Sequence, residues 1–312
     1  MSAAPASARA AKARTVYIEF EGQQVAVTSD AHEVLAGVEG IYSAMVVPTA
    51  TRAVRTFEVS GNGGGYRITG TTAFHLTDGS LTDVLRCLRF SVIQALMEAR
   101  PDLLWFHAGA AAADRRAILL LGPRGRGKST LIVALCARGW TYLSDDVVPL
   151  NPSSSRAVPF PLTPARREFP GQEMPADWLR SPHKVDVPLP SRSLGRHPVP
   201  VGALVFPKYR VGAPARLSPC PAAEAAAELL QHCWNFAEHG RAALRRLCDL
   251  AARVPAYHLS FSDGELATDL LALLRLRMAP PPAAHVTQWA HGEEHKEGAN
   301  ERVAKGTSSV RP

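Results

Sequence analysis

One stretch constrains this chain more than any other. Ala117-Ile118-Leu119-Leu120-Leu121 is an apolar run that ends at Gly122-Pro123-Arg124-Gly125-Arg126-Gly127-Lys128-Ser129. That octet fits G-x-x-x-x-G-K-[ST], the P-loop pattern. An apolar helical pattern follows from Ser129 to Arg138, Gly139 stops it, and Trp140 to Leu143 reads as the next strand. Strand, glycine-rich loop, helix and strand in this order predict a βαβ unit and an α/β core. The glycines allow a tight turn that aims backbone N–H groups at phosphate oxygens, and the helix start adds its positive end. Lys128 would reach the β- and γ-phosphates, and the Ser129 hydroxyl would take a place on Mg²⁺. The expected nucleotide-contacting set is Gly122, Arg124, Gly125, Arg126, Gly127, Lys128, Ser129 and Thr130. Arg124 and Arg126 are unusual in such a loop. They either clamp a transferred phosphoryl group or point into solvent.

Two further features lie at defined spacings. Seventeen residues past Lys128 stands Asp145-Asp146, at the end of the strand-like Thr141-Tyr142-Leu143-Ser144. In P-loop proteins an acid at a neighbouring strand tip holds Mg²⁺, directly or through water. Two in a row supply two roles: one for the metal and one to accept a proton from an attacking hydroxyl. A solvated turn is the plainer reading of the same pair. Fifteen residues before Gly122 stands His107, in Trp105-Phe106-His107-Ala108-Gly109. A lone histidine after an aromatic pair reads, taken by itself, as a packed structural residue.

A His-Ala pair, a strand, a P-loop and an Asp-Asp pair at these spacings resemble the HPr kinase/phosphorylase catalytic domain. They also resemble its relatives, the HPr kinase-like serine kinases found beside peptide-modification gene clusters. The similar segment runs from about Leu104 to Leu150. The resemblance implies a P-loop α/β kinase domain of the HPr kinase/phosphoenolpyruvate carboxykinase-like type. It implies ATP and Mg²⁺ as cofactors and a serine hydroxyl of a protein or peptide as acceptor. Carried over, Lys128 and Ser129 hold phosphate and metal, Asp145 is the general base, Asp146 assists with the metal, and His107 lines the pocket. The catalytic set is then Asp145, His107 and Lys128, with Ser129 and Asp146 on the metal. The family's enzyme assembles as an oligomer, which makes a homo-oligomer an implied partner state.

The sequence also departs from that family. The downstream glycine-rich signature opening with Glu-Ile-Arg is absent, and residues 151–200 differ wholly. Ser181-Pro182-His183-Lys184-Val185-Asp186 looks more like the peptide-cluster relatives. Arg180 and Lys184 could there meet nucleotide or substrate, against a solvated face as the simpler reading.

The rest of the chain frames this segment. Val16, Ile18 and Phe20 alternate before a Glu21-Gly22 turn, and Val25 and Val27 follow it, a hairpin signature. Further strands are expected at 54–59 and 66–76. Leu81, Val84, Leu85, Leu88, Val92 and Leu96 recur at helical spacing, with Ser80 placed to cap. Residues 15–100 therefore read as a small β-rich module ending in a helix, and 101–278 as the kinase-like domain. Residues 1–14 and 279–312 read as a disordered arm and tail. Past residue 200, a strand is expected at 201–206, helices at 221–238 and 241–254, a strand at 256–261 and a helix at 265–278.

Composition narrows the function. The net charge is +7 over 312 residues, which allows anionic partners. The basic residues are scattered and aromatics are 7%, so no nucleic-acid module is expected. No apolar run approaches the roughly 20 residues of a membrane span, so no membrane partner is expected. Five cysteines without C-x-x-C spacing fit a reducing cytoplasmic setting and small buried side chains. G-x-S-x-G and the protein-kinase H-R-D and D-F-G set are absent. A second reading comes from another class: the loop binds nucleotide as a switch or stabilising ligand in a scaffold, without phosphotransfer. Asp145 separates the two, because only a kinase needs a base there.

Overall fold

The computed structural model describes residues 13–49, 52–61, 64–70, 76–167 and 184–278. Most of the expected arm, residues 1–12 of 1–14, lies outside them, but its last residue, Arg14, is not disordered and opens the first strand. The tail and the stretch containing Arg180 also lie outside the described residues. The fold is mixed α/β.

The first sheet has five strands in the order β3-β1-β2-β4-β5. They are β1 (Arg14–Phe20), β2 (Gln23–Ser29), β3 (Val46–Val47), β4 (Ala53–Gly61) and β5 (Tyr66–Thr69). β1 and β2 form the expected antiparallel hairpin. Its turn residues Glu21 and Gly22 both take positive φ, 49° and 77°, which matches the right-handed twist of the strands. Helix α1 (His32–Ile41) carries the chain from β2 to β4, which run parallel, and sequence periodicity had not marked it. Helix α2 (Leu81–Ala99) starts at a capping box: the Ser80 hydroxyl accepts from Asp83 N, and the Asp83 carboxylate accepts from Ser80 N. It buries Val84, Leu88, Val92 and Leu96.

The second sheet has nine strands. β6 (Leu104–Phe106), β7 (Ala108–Ala113) and β8 (Arg116–Leu121) lead to α3 (Lys128–Ala137) and β9 (Thr141–Ser144). Then come β10 (Val148–Asn151), β11 (Arg156–Ala157) and a two-stranded ribbon of β12 (Ala165–Arg167) and β13 (Lys184–Asp186). The long β14 (Val199–Tyr209) and β15 (Arg216–Pro219) precede helices α4 (Ala222–His232) and α5 (Phe236–Arg253). β16 (Ala256–Phe261) and α6 (Gly264–Leu274) complete the chain's described part.

The glycine-rich loop lies between β8 and α3. β8, β14 and β16 run parallel, whereas β7 sits antiparallel between β8 and β9. The crossover from β8 through α3 therefore passes over β7 to reach β9, so the expected strands are not neighbours. β8 is buried on both faces, as parallel central strands are. Ile118 and Leu120 pack with α3 and α6, and Leu119 and Leu121 pack with α4 and α5.

Three expectations after residue 200 need correction. The first helix ends at His232 rather than Glu238, and Gly240 (φ 53°) breaks α5 near its start. Apolar spacing in 241–254 put Leu244, Leu247, Leu250 and Ala251 on one packed face, but Leu244 is 39% exposed and the buried face uses Ala243, Leu247, Leu250 and Ala251. Cys248 is exposed, while the other four cysteines are buried, and none is in a disulfide.

The core beneath the first sheet continues into residues 103–162. Phe20, Trp105 and Phe160 meet edge to face, with ring centres 4.9–5.5 Å apart. No described helix is long and apolar enough to cross a membrane.

Candidate functional site

The loop after β8 turns on glycine. Gly125 and Gly127 take φ of 82° and 91°, where a side chain would be strained. At Gly127 a Cβ would also lie 2.7 Å from the Phe261 ring. Lys128 opens α3 and is 6% exposed. Its Nζ donates to Gly122 O at 2.5 Å, to Pro123 O at 3.0 Å and to His107 Nε2 at 3.2 Å. The ammonium is thus held across the loop by acceptors, facing the start of the helix.

The next residue joins the loop to β9. Ser129 Oγ donates to Asp145 Oδ1 at 3.0 Å. Asp145 is 2% exposed. Lys128 and Asp145 are the charged side chains that are buried among the described residues. Gly109 makes room for this pair. A Cβ there would sit 2.9 Å from Ile132 of α3 and 3.6 Å from Asp145 Oδ1.

His107 and Asp146 close the other side. Asp146 adopts a left-handed φ of 75°, a conformation that costs a non-glycine residue about 1 kcal/mol or more. His107 Nδ1 lies 3.0 Å from Asp146 O and 3.7 Å from Asp146 Oδ1. A carbonyl only accepts, so Nδ1 carries the hydrogen, and Nε2 is free to accept from Lys128. This network assigns a neutral imidazole. Burial first, and the Lys128 charge second, push its pKa below the ordinary imidazole value, while Asp146 pulls the other way. The position of His107 is set by a short pairing with the last residue of α4 and the segment just after it. His107 N donates to His232 O at 2.9 Å, Trp234 N donates to Trp105 O at 2.8 Å, and Asn235 Oδ1 accepts from Trp105 N at 3.0 Å.

An open cleft of about 250 Å³ adjoins these groups. His107, Asp146 and Arg124 line it from the second sheet, and Arg89, Phe90 and Ile93 from α2. Arg89 Nη2 lies 3.4 Å from Asp146 Oδ2. Arg124 is exposed and lies over the Phe90 ring at 5.9 Å, so it points toward the cleft. Trp234 stacks on His107 with ring centres 5.9 Å apart and planes 12° from parallel.

The structure thus brings Lys128, Ser129, Asp145, Asp146 and His107 together around one loop. Arg126 is half-buried within the loop, and Thr130 is exposed one step past Ser129. Arg89, Phe90 and Trp234 were not expected here. Arg89 and Phe90 sit on a helix that reads as packing only, and Trp234 falls in a segment that reads as helix. Nothing in their sequence spacing links them to the loop.

No protein-family model matches the chain. No curated protein matches it either. Among solved structures, the Hpr(Ser) kinase/phosphatase from Coxiella burnetii is similar with a TM-score of 0.28 and 15% identity, over 55% of this chain and 97% of that one. A likeness at that level carries no weight for the activity of this chain.

Proposed function

We propose that this chain is an ATP-dependent kinase of the HPr kinase-like type, which transfers the γ-phosphoryl group to a serine hydroxyl of a protein or peptide. The observation that carries the reading is the burial of one cation and one carboxylate on either side of Ser129, at the start of a helix that follows a glycine-rich loop. Buried charge is costly and persists where it is paired or used. MgATP is the substrate that suits this donor set. Backbone N–H groups of residues 122–129 would face its phosphates, and Mg²⁺ would neutralise their charge.

Each side chain then has a role. Lys128 leaves its own loop carbonyls and moves onto phosphate oxygens. Ser129 offers its hydroxyl to the metal. Asp145 already accepts a hydroxyl hydrogen bond from Ser129, and we assign it the proton of the incoming serine. Asp146, paired with Arg89, is a fixed carboxylate suited to the metal side. Neutral His107 positions the Lys128 ammonium through Nε2. The cleft between α2 and the loop, lined by His107 and Asp146, is the side from which the acceptor would approach Asp145. We place the reaction in the cytoplasm, the compartment that supplies ATP and keeps thiols reduced.

The test uses the full chain with Mg²⁺, γ-labelled ATP and a lysate of the source cell. The reading expects label on an acceptor band. It also expects Lys128→Ala to lower the rate on the order of 10²-fold or more, since the electrostatic part dominates such transfers. A Lys128→Ala protein with full transfer activity contradicts it.

A further inference from the structure

Away from the phosphate loop, the edge of the second sheet gathers three side chains with three kinds of metal donor. Cys220 stands just past β15. Glu224 follows in the first turn of α4. His258 lies in β16, the antiparallel partner of β15. One ligand atom from each, a thiol sulfur, a carboxylate oxygen and a ring nitrogen, all lie within 4.8 Å of one another. His258 Nε2 and Glu224 Oε1 are 3.0 Å apart. The backbone fixes the arrangement: Cys220 N donates to Ala256 O at 2.8 Å, and Ser218 faces His258 across the strand pair. It is the one such group of three among the described residues.

We propose that Cys220, Glu224 and His258 bind one divalent transition-metal ion of the zinc type. Sulfur and nitrogen donors suit a borderline-soft ion and disfavour Mg²⁺ or Ca²⁺, which take oxygen. Metal–ligand distances of about 2.0–2.3 Å put tetrahedral ligand atoms roughly 3.3–3.8 Å apart, so small side-chain rotations close the present spread. Three protein ligands leave the fourth position to water. Cys220 is buried, whereas Glu224 and His258 are 51% and 36% exposed, so the ion enters from the Glu–His side. On binding, the Cys220 thiol gives its proton to solvent and His258 ligates as neutral imidazole. The competing reading is a plain His258–Glu224 ion pair beside a buried thiol.

The position gives the ion a consequence. α4 begins at this site, its last residue is His232, whose carbonyl accepts from His107, and Trp234 follows just past it. The ion would fasten the start of that helix to the β15–β16 pair. The site does not depend on the kinase reading, and its test does not use activity.

The full chain, stripped of metal with a chelator, is titrated with Co²⁺. One equivalent should bind with a thiolate-to-cobalt charge-transfer band. Cys220→Ser should abolish the band, and His258→Ala should weaken binding at least about tenfold, the scale on which metal-site changes act. Zn²⁺ should displace the cobalt and raise the melting temperature of the wild type, with little effect on His258→Ala. His258 is half-exposed, so that variant keeps the test decisive should Cys220→Ser misfold. Absence of a thiolate band in the wild type would overturn the proposal. So would a band that survives in both variants, because it would belong to another cysteine.

Discussion

The two sheets bury different things. Beneath the first lie Val16, Ile18, Phe20, Val25, Val27, Leu88 and Val92, and its buried polar residues Gln24, Ser29 and Ser91 are neutral. The second sheet buries Lys128 and Asp145 beside a loop of left-handed glycines and a left-handed Asp146. Removing ions from water costs several kcal/mol each unless partners replace the lost hydration. Here the partners are loop carbonyls, His107 and Ser129. The first sheet is built for packing, and the second holds paired charge beside its glycine-rich loop. The two are nonetheless joined, through Phe20 against Trp105 and Phe160 and through Arg89 against Asp146.

That junction can be broken first. Phe20→Ala should cost about 3–5 kcal/mol, the usual range for a buried aromatic. The loss should appear as one cooperative thermal transition, followed by tryptophan fluorescence and by far-ultraviolet circular dichroism. Two separate transitions would mean that the sheets fold independently and that the shared aromatic cluster couples nothing.

Acid should sharpen the contrast. His107 and His232 both have pKa values below the ordinary imidazole value, chiefly through burial. The unfolded chain therefore takes up more protons than the folded one as pH falls through about 6.5. Stability should be unaffected by these groups above that pH and should fall below it. Melting temperatures measured from pH 8 to 5 test this, and His107→Gln should flatten the decline. A melting temperature that rises on acidification contradicts the assignment of a neutral His107. The smallest effect concerns the start of α2, away from its cleft-lining residues Arg89 and Phe90. Ser80→Ala removes the α2 cap and should cost about 1 kcal/mol in denaturant unfolding, with little change in nucleotide affinity.

Much of this was legible in the sequence, for local reasons. The Glu21-Gly22 hairpin, the Ser80-capped helix and the strand–loop–helix around Lys128 each carry their own signal within a few residues. β7 did not, because Ala110 to Ala113 favour a helix and become a strand only between β8 and β9. The same insertion separates β8 from β9, which the simple βαβ reading placed side by side. At the site, Lys128, Ser129, Asp145 and Asp146 were marked by spacing along one segment, whereas His107 read by itself as a packed residue and entered only through the family resemblance. Arg89 and Trp234 were not marked: they reach the cleft from 57 residues before Asp146 and from 127 residues after His107. Contacts of that span leave no periodic trace.

The most direct measurement of the central claim compares wild type with Asp145→Asn, using γ-labelled ATP, Mg²⁺ and source-cell lysate, with ATP affinity measured in parallel. The account predicts a labelled acceptor band that disappears in Asp145→Asn while ATP binding persists. Equal labelling by both proteins would show that Asp145 takes no proton. Bound ATP without any labelled acceptor in either protein would contradict the kinase reading and favour a nucleotide-binding scaffold.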